Sequence, residues 1–288
     1  MRFATTALVL AACMAGVMAS GQESASDGRE LRRRDPILAE LSDLLVHSPL
    51  APCVRTGAPG AETAGRLRIA TWNIRAARSA PVEAIAAELR AMRADVIALQ
   101  EVDVLTRRTG FVDEPAVLAG RLGFRYAFAA SIKWDGGDYG LAVLSRLPLN
   151  GVQRHRLETS HPGEPRIVLE VTVCAGGRPL RIFNHHADRR GAARQAGFEG
   201  LRGILQSAAG RGIVVLGDFN EPVTAPGVRS LIDDGLVDLV AARGTTTTGG
   251  DRIDHVLADP LLARMVSTVS VWSTDKSDHD ALLVDLVR

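Results

Sequence analysis

Nine side chains in the 288-residue sequence are of types that could do chemistry together: Asn73, Glu101, Tyr139, His186, Asp218, Asn220, Asp254, Asp278 and His279. Each stands in or beside a short apolar run, and the clearest case is IVVLGDFNE, Ile213 to Glu221. Ile213 to Leu216 reads as a central strand, and Gly217 frees the backbone to present Asp218 and Asn220 at its carboxyl end. Ligands of α/β proteins sit at that end of the sheet. Each residue also has a plainer reading: Asn73 closing a turn, Glu101 capping a helix, Asp254 pairing with Arg252, Asp278 to Asp280 lying in a solvated loop. Jointly they are harder to dismiss, because acids and amides gathered at one sheet edge crowd their charges unless a cation is present.

The donor types narrow that cation. Carboxylate and amide oxygens without a cysteine cluster suit a hard ion, Mg²⁺ or Mn²⁺. His185, His186 and His279 leave zinc open, although no HExxH-like helical spacing occurs. A hard dication beside histidines and an Asp-x-Asn pair is equipment for attack of water on a phosphoryl group.

The elements that must position these groups can be read in order. LRIATWNI from Leu67 is a strand ending near Asn73, PVEAIAAELRAM is a helix, and DVIALQEVD is a strand finishing on Gln100 and Glu101. A helix is expected at Glu114 to Leu122, then strands YAFAASI, YGLAVLSR, RIVLEVTV and LRIFNHH. A helix from about Arg189 to Ala208 leads into the GDFN strand, and three strands follow at Ile253 to Ala258, Val266 to Trp272 and Ala281 to Val287. This pattern predicts an α/β (α+β) fold, a four-layered sandwich of two packed mixed sheets flanked by helices.

Seven motifs fall in one order: TWNI at Thr71 to Ile74, LQE at Leu99 to Glu101, YGLAVLSR at Tyr139 to Arg146, NHHAD at Asn184 to Asp188, GDFN at Gly217 to Asn220, RIDH at Arg252 to His255 and SDHDAL at Ser277 to Leu282. From about Leu67 to the C-terminus the chain resembles the endonuclease/exonuclease/phosphatase superfamily. The stretches EVD, TRRTGFVD and GGDYGLAVLSR look particularly like its bacterial metal-dependent hydrolases, a branch related to GPI-anchor lipid remodelling proteins. The resemblance implies that Glu101 is the principal metal ligand, with Asn73 and Asp278 completing or supporting the site. It implies that Asp218 orients or deprotonates water, that Asn220 binds the phosphate, and that His186 and Tyr139 donate to phosphoryl oxygens. His279 would stabilise the transition state or serve as acid or base, held by Asp254. The family's Asn-Thr-His-Leu is Asn184, His185, His186, Ala187 here; strand alternation points His185 away from the site, as a structural residue.

Composition bounds the rest. Met1 and Arg2, an apolar stretch from Phe3 to Met18 and small residues at Ala19 and Ser20 read as a signal peptide over residues 1–20 cut after Ala19, which predicts a periplasmic or secreted protein. Leu10 to Cys13 also resembles a lipoprotein box that would lipidate Cys13. The apolar run is too short to span a bilayer comfortably, so no stable membrane span is expected. Residues 21–66 form an extension with a helix from Asp35 and Pro36, its apolar face Ile37, Leu38, Leu41, Leu44 and Leu45, and a linker at Pro52 and Pro59; residues 67–288 form the catalytic domain. Cys53 and Cys174 are either a disulfide or two buried thiols. With 34 basic against 33 acidic residues and 4% aromatics, no global field or stacking surface favours nucleic acid. The expectation is an exported, monomeric phosphodiesterase acting on a phosphoester of a small molecule, lipid head group or nucleic acid. A nonspecific secreted DNA endonuclease and a catalytically idle binding protein are the alternatives.

Overall fold

The computed structural model describes residues 44–47, 65–157, 162–208, 210, 212–240 and 244–287. The signal peptide expected at residues 1–20, most of the extension expected at 21–66, and Cys53 lie outside the described residues. Strands are β1 (Leu44–His47), β2 (Arg66–Asn73), β3 (Val96–Val104), β4 (Arg125–Trp134), β5 (Gly137–Ser145), β6 (Leu149–Leu157), β7 (Arg166–Ala175), β8 (Arg178–His186), β9 (Ile213–Asp218), β10 (Val237–Asp238), β11 (Asp254–Ala258), β12 (Val266–Trp272) and β13 (Ala281–Val287). Helices are α1 (Val82–Met92), α2 (Glu114–Leu122), α3 (Gly191–Ser207), α4 (Pro226–Asp233) and the short α5 (Pro260–Ala263).

Among the described residues the strands make two mixed sheets: a seven-stranded sheet in the order β1-β4-β5-β3-β2-β13-β12 and a six-stranded sheet in the order β10-β11-β9-β8-β7-β6. Alternation along each strand sorts the side chains into layers. Ile69, Ala98, Val143, Leu169, Ile182, Val214 and Leu216 fill the space between the sheets. Trp72, Ile97, Leu99 and Leu144 face α1 and α2 on one outside, with Ile85, Leu89 and Leu118 packed on them. Phe183, Val215 and Leu257 face α3 and α4 on the other, against Phe198, Leu201 and Leu231. The four-layered sandwich read from the sequence is the architecture.

Several elements differ from the reading of the sequence, the short β10 and α5 among them. Leu44 and Leu45 belong not to the helix expected from Asp35 but to β1, which pairs antiparallel with β4 and so adds a strand of the extension to the first sheet. The helix periodicity there was carried by leucines whose β pairing partner lies about eighty residues later in the chain. Strand β6 was missed because it is the outer edge of its sheet, and LNGVQRHRL carries the polar residues an edge requires. Helix α4, with Pro226 in its first turn, was hidden in a Pro- and Gly-containing stretch that reads as loop. Cys174 is disulfide-bonded. No described helix is long and apolar enough to cross a membrane.

Candidate active site

Register assembles half of the site. In the second sheet His186 of β8 pairs with Asp218 of β9, and Asp218 pairs with Asp254 of β11, so the three stand side by side across three strands. Gly217 makes this packing feasible: its φ is +134°, and a Cβ there would lie 1.9 Å from the His185 carbonyl oxygen. The first sheet supplies the other half. Asn73 ends β2, and its Nδ2 donates to Glu101 Oε1 at 3.1 Å and to Asp218 Oδ2 at 3.0 Å. Its Oδ1 accepts the Arg75 amide at 3.0 Å.

Glu101 reaches this place through a β-bulge. Plain alternation would put it on the face of Ile97 and Leu99, against the helices. The register between β3 and β5 shifts between Leu99 and Val102, and Glu101 has φ +54°. Leu99 and Val102 thereby share the helix-facing layer three residues apart; Gln100 keeps the inter-sheet face of Val96 and Ala98, and Glu101 is the residue re-aimed. Gln100 turns into the gap between the sheets, where its Nε2 donates to Asn184 Oδ1 at 2.7 Å, and Asn184 Nδ2 donates to the Leu99 and Ala142 carbonyls at 2.9 and 3.0 Å.

His279 arrives from the loop before β13, which is pinned to β2. Ser277 Oγ donates to the Asn73 carbonyl at 2.7 Å and Trp72 Nε1 donates to the His279 carbonyl at 2.8 Å. His279 Nδ1 lies 2.9 Å from Asp254 Oδ2, and its Nε2 is 3.7 Å from Asp218 Oδ2. His186 Nε2 approaches that same oxygen at 3.4 Å. Asn220, with φ +51°, gives its backbone N–H to Asp218 Oδ1 at 2.9 Å and its Nδ2 to the Ala187 carbonyl at 3.0 Å. Asn73, Glu101, His186, Asp218, Asn220, Asp254 and His279 are thus one connected group.

Two expected site residues stand at its margin. Asp278, about half exposed, has Oδ2 3.3 Å from Arg75 Nε. Arg75, Ala76 and Ala77 hold φ values of 53°, 50° and 45°, a left-handed turn that delivers the arginine to this acid. Tyr139 is buried in β5, with Arg108 stacked 5.4 Å from its ring centre and its hydroxyl bonded to Arg166. His185 faces the helix layer, edge-on to Phe198 and Phe219, as its strand position predicts.

The electrostatics separate the two site histidines. Burial draws His279 down, but its hydrogen bond to Asp254 and the charges of Asp254 and Asp218 outweigh this and hold it at about 9. Burial, and then the Arg166 charge, press His186 well below the usual range. Asp218 is raised, first by burial and then by the neighbouring charge of Asp254. Two buried carboxylates in adjacent register, with one amide and two imidazoles turned to Asp218, leave negative charge that a cation can balance. Ligand atoms of Asp218, Asp254 and His279 lie within 4.8 Å of one another. Glu101 adds carboxylate oxygens beside this group and Asp278 a further carboxylate at its margin, while Asn73 turns its Nδ2 inward and its Oδ1 to the Arg75 amide, so the carboxylates present fit a hard divalent ion.

Arg166 was missing from the sequence-level set. Strand-end reasoning looks at carboxyl ends, whereas β7 runs antiparallel to β8, so its first residue is the one that meets the site. Arg166 Nη1 is 3.2 Å from His186 Nδ1.

A model of the Endonuclease/Exonuclease/phosphatase family matches residues 70–279. An endonuclease/exonuclease/phosphatase from Beutenbergia cavernae DSM 12333 superposes with TM-score 0.62 at 25% identity, over 77% of this chain and 72% of that one. A mannosyl-6-phosphatase from Bacteroides thetaiotaomicron VPI-5482 does so with TM-score 0.59 at 20% identity, over 77% and 100%. An AP endonuclease from Archaeoglobus fulgidus does so with TM-score 0.59 at 21% identity, over 76% and 98%. The last two likenesses establish fold alone. None of the curated proteins matches the chain.

Proposed function

The chain belongs to the endonuclease/exonuclease/phosphatase family, a family of phosphoester hydrolases, and from that premise we propose that it is an exported, divalent-metal-dependent phosphodiesterase. The observation that carries the chemistry is Asp218: a buried carboxylate held from four sides by Asn73 Nδ2, the Asn220 amide, His186 and His279. A carboxylate so oriented can hold a water molecule in line with a phosphorus atom and accept its proton, and its raised affinity for protons suits that task.

When bound, a divalent cation beside Glu101, with Asn73 and Asp278 near it, supplies charge neutralisation for the phosphoryl oxygens. The remaining work falls to the chain's own groups. His279, cationic at neutral pH and backed by Asp254, meets the negative charge that develops on the phosphoryl group and can hand its proton to the departing oxygen. His186 and the Tyr139 hydroxyl donate hydrogen bonds to phosphoryl oxygens. Asn220 fixes Asp218 through its backbone and keeps one amide hydrogen for the substrate. Preorganisation by register, bulge and pinned loop means that little has to move when substrate arrives.

Export by the leader of residues 1–20 agrees with the disulfide at Cys174, since disulfides persist in oxidising compartments. The test is hydrolysis of bis-p-nitrophenyl phosphate, plasmid DNA and sphingomyelin by the mature protein with Mg²⁺, Mn²⁺ or EDTA, beside Asp218→Ala. Metal-dependent turnover of the diester that EDTA and the substitution both abolish is the expected result. Turnover indifferent to EDTA, or retained in Asp218→Ala, overturns the proposal, and a preference for plasmid would make the protein a nuclease.

A further inference from the structure

His186 and His279 turn Nε2 to the same oxygen, Asp218 Oδ2. What stands behind the two rings differs. Behind His279 is a carboxylate, Asp254. Behind His186 is a guanidinium, with Arg166 Nη1 at 3.2 Å from Nδ1. Arginine carries only donors and stays protonated, so the nitrogen facing it has to be the bare, accepting one. A neutral imidazole has one hydrogen, which then has to sit on the other nitrogen.

We propose that Arg166 is a positioning residue that fixes His186 as its Nε2–H tautomer, so that this ring presents a donor to the substrate oxygen beside Asp218. The word substrate rests on the phosphoesterase reading above; the tautomer does not.

The surroundings hold Arg166 in this role. Its side chain is 10% exposed and lies 2.9 Å from Glu164 Oε1, and it bonds the Tyr139 hydroxyl. The segment before it is fastened to the turn that follows β8: the Glu164 amide donates to Asp188 Oδ2 at 2.9 Å, and Asp188 Oδ1 accepts the Arg190 amide at 2.7 Å. Gly163 permits the approach, because a Cβ there would lie 2.6 Å from Asp188 Oδ2. Touching Glu164, Tyr139 and His186, the guanidinium orders two groups of the site at once. A carboxylate in its place would accept from Nδ1–H and draw the opposite tautomer, or the cation, as Asp254 does for His279.

The experiment is a long-range proton–nitrogen NMR spectrum of the metal-free protein labelled with ¹⁵N-histidine, with His186→Gln to assign the ring. Wild type and Arg166→Lys are expected to show a pyridine-type Nδ1 and a pyrrole-type Nε2 at His186. Arg166→Met is expected to lose that pattern while the His255 signals stay in place. A pyrrole-type Nδ1 in the wild type, or an unchanged pattern in Arg166→Met, overturns the proposal. If Arg166→Met does not fold, the wild-type spectrum decides alone. With bis-p-nitrophenyl phosphate, Arg166→Met is expected to lose kcat without a matching rise in KM, and Arg166→Lys to recover part of it; kcat equal to wild type in Arg166→Met overturns the positioning role. Should no variant or wild type hydrolyse any phosphoester, the tautomer readout still stands, and only the functional reading fails.

Discussion

Asp254 and Asp218 lie side by side in register on antiparallel strands, both 2% exposed, and only Asp254 has an imidazole bonded to it within 3 Å, at 2.9 Å. Two like charges so close are tolerated because the His279 cation meets both, with Nδ1 2.9 Å from Asp254 Oδ2 and Nε2 3.7 Å from Asp218 Oδ2. The arrangement makes Asp254 the residue that keeps His279 charged.

Asp254→Asn should therefore lower the His279 titration from about 9, since burial remains while the hydrogen bond and the largest of the charges that raise it are lost. A proton NMR titration of the His279 ring reads this directly. Removing an oriented acid of this kind costs roughly 10²–10⁴ in kcat. The raised value also stabilises the fold: that contribution is complete below about 6.5 and lost as pH rises through about 9, so wild-type melting temperature should decline across this window more steeply than that of Asp254→Asn.

Glu114 opens α2 fully buried, with Oε2 accepting the Asp103 amide at 2.8 Å. Burial lifts it to about 8 from the usual 4.5, so the folded state prefers its protonated form. Stability from this group is present below pH 4.5 and lost by about pH 8, on the order of 4 kcal/mol over the window. Glu114→Gln keeps the acceptor and cannot ionise. Its denaturation midpoint should exceed wild type at pH 8 and match it at pH 5; equal midpoints at pH 8 would refute the assignment.

Gln100 and Asn184 join the two sheets through a 2.7 Å amide contact in an otherwise apolar layer. Gln100→Leu strands the Asn184 oxygen, and Asn184→Leu strands carbonyls where the bulge opens the ladder; each should cost roughly 1–3 kcal/mol. The double substitution should cost less than the sum, by roughly 0.5–3 kcal/mol, in a double-mutant cycle by urea unfolding. Strict additivity would mean that the two amides act independently.

Gly217→Ala forces a methyl group to within 1.9 Å of the His185 carbonyl at φ +134°. A loss of about 4 kcal/mol or more is expected, with His186 and Asp218 displaced. Near wild-type stability would show that β8 and β9 can part there cheaply.

What the sequence determined by itself was most of the order of strands and helices, the layered architecture and the chemistry of the strand-end donor set. Periodicity is a local property, and acids and amides ending apolar runs are visible one run at a time; their agreement in motif order carried the family. What only the tertiary structure decided depends on pairing between distant segments. Leu44 reads as helix until β4 offers an edge. Glu101 points to the helices under plain alternation, and only a slip in pairing with β5 turns it to the site. Arg166 looks like the solvated start of a strand until antiparallel pairing brings it to His186. In each case the deciding free energy is a contact with residues far along the chain, which no window of neighbouring residues contains.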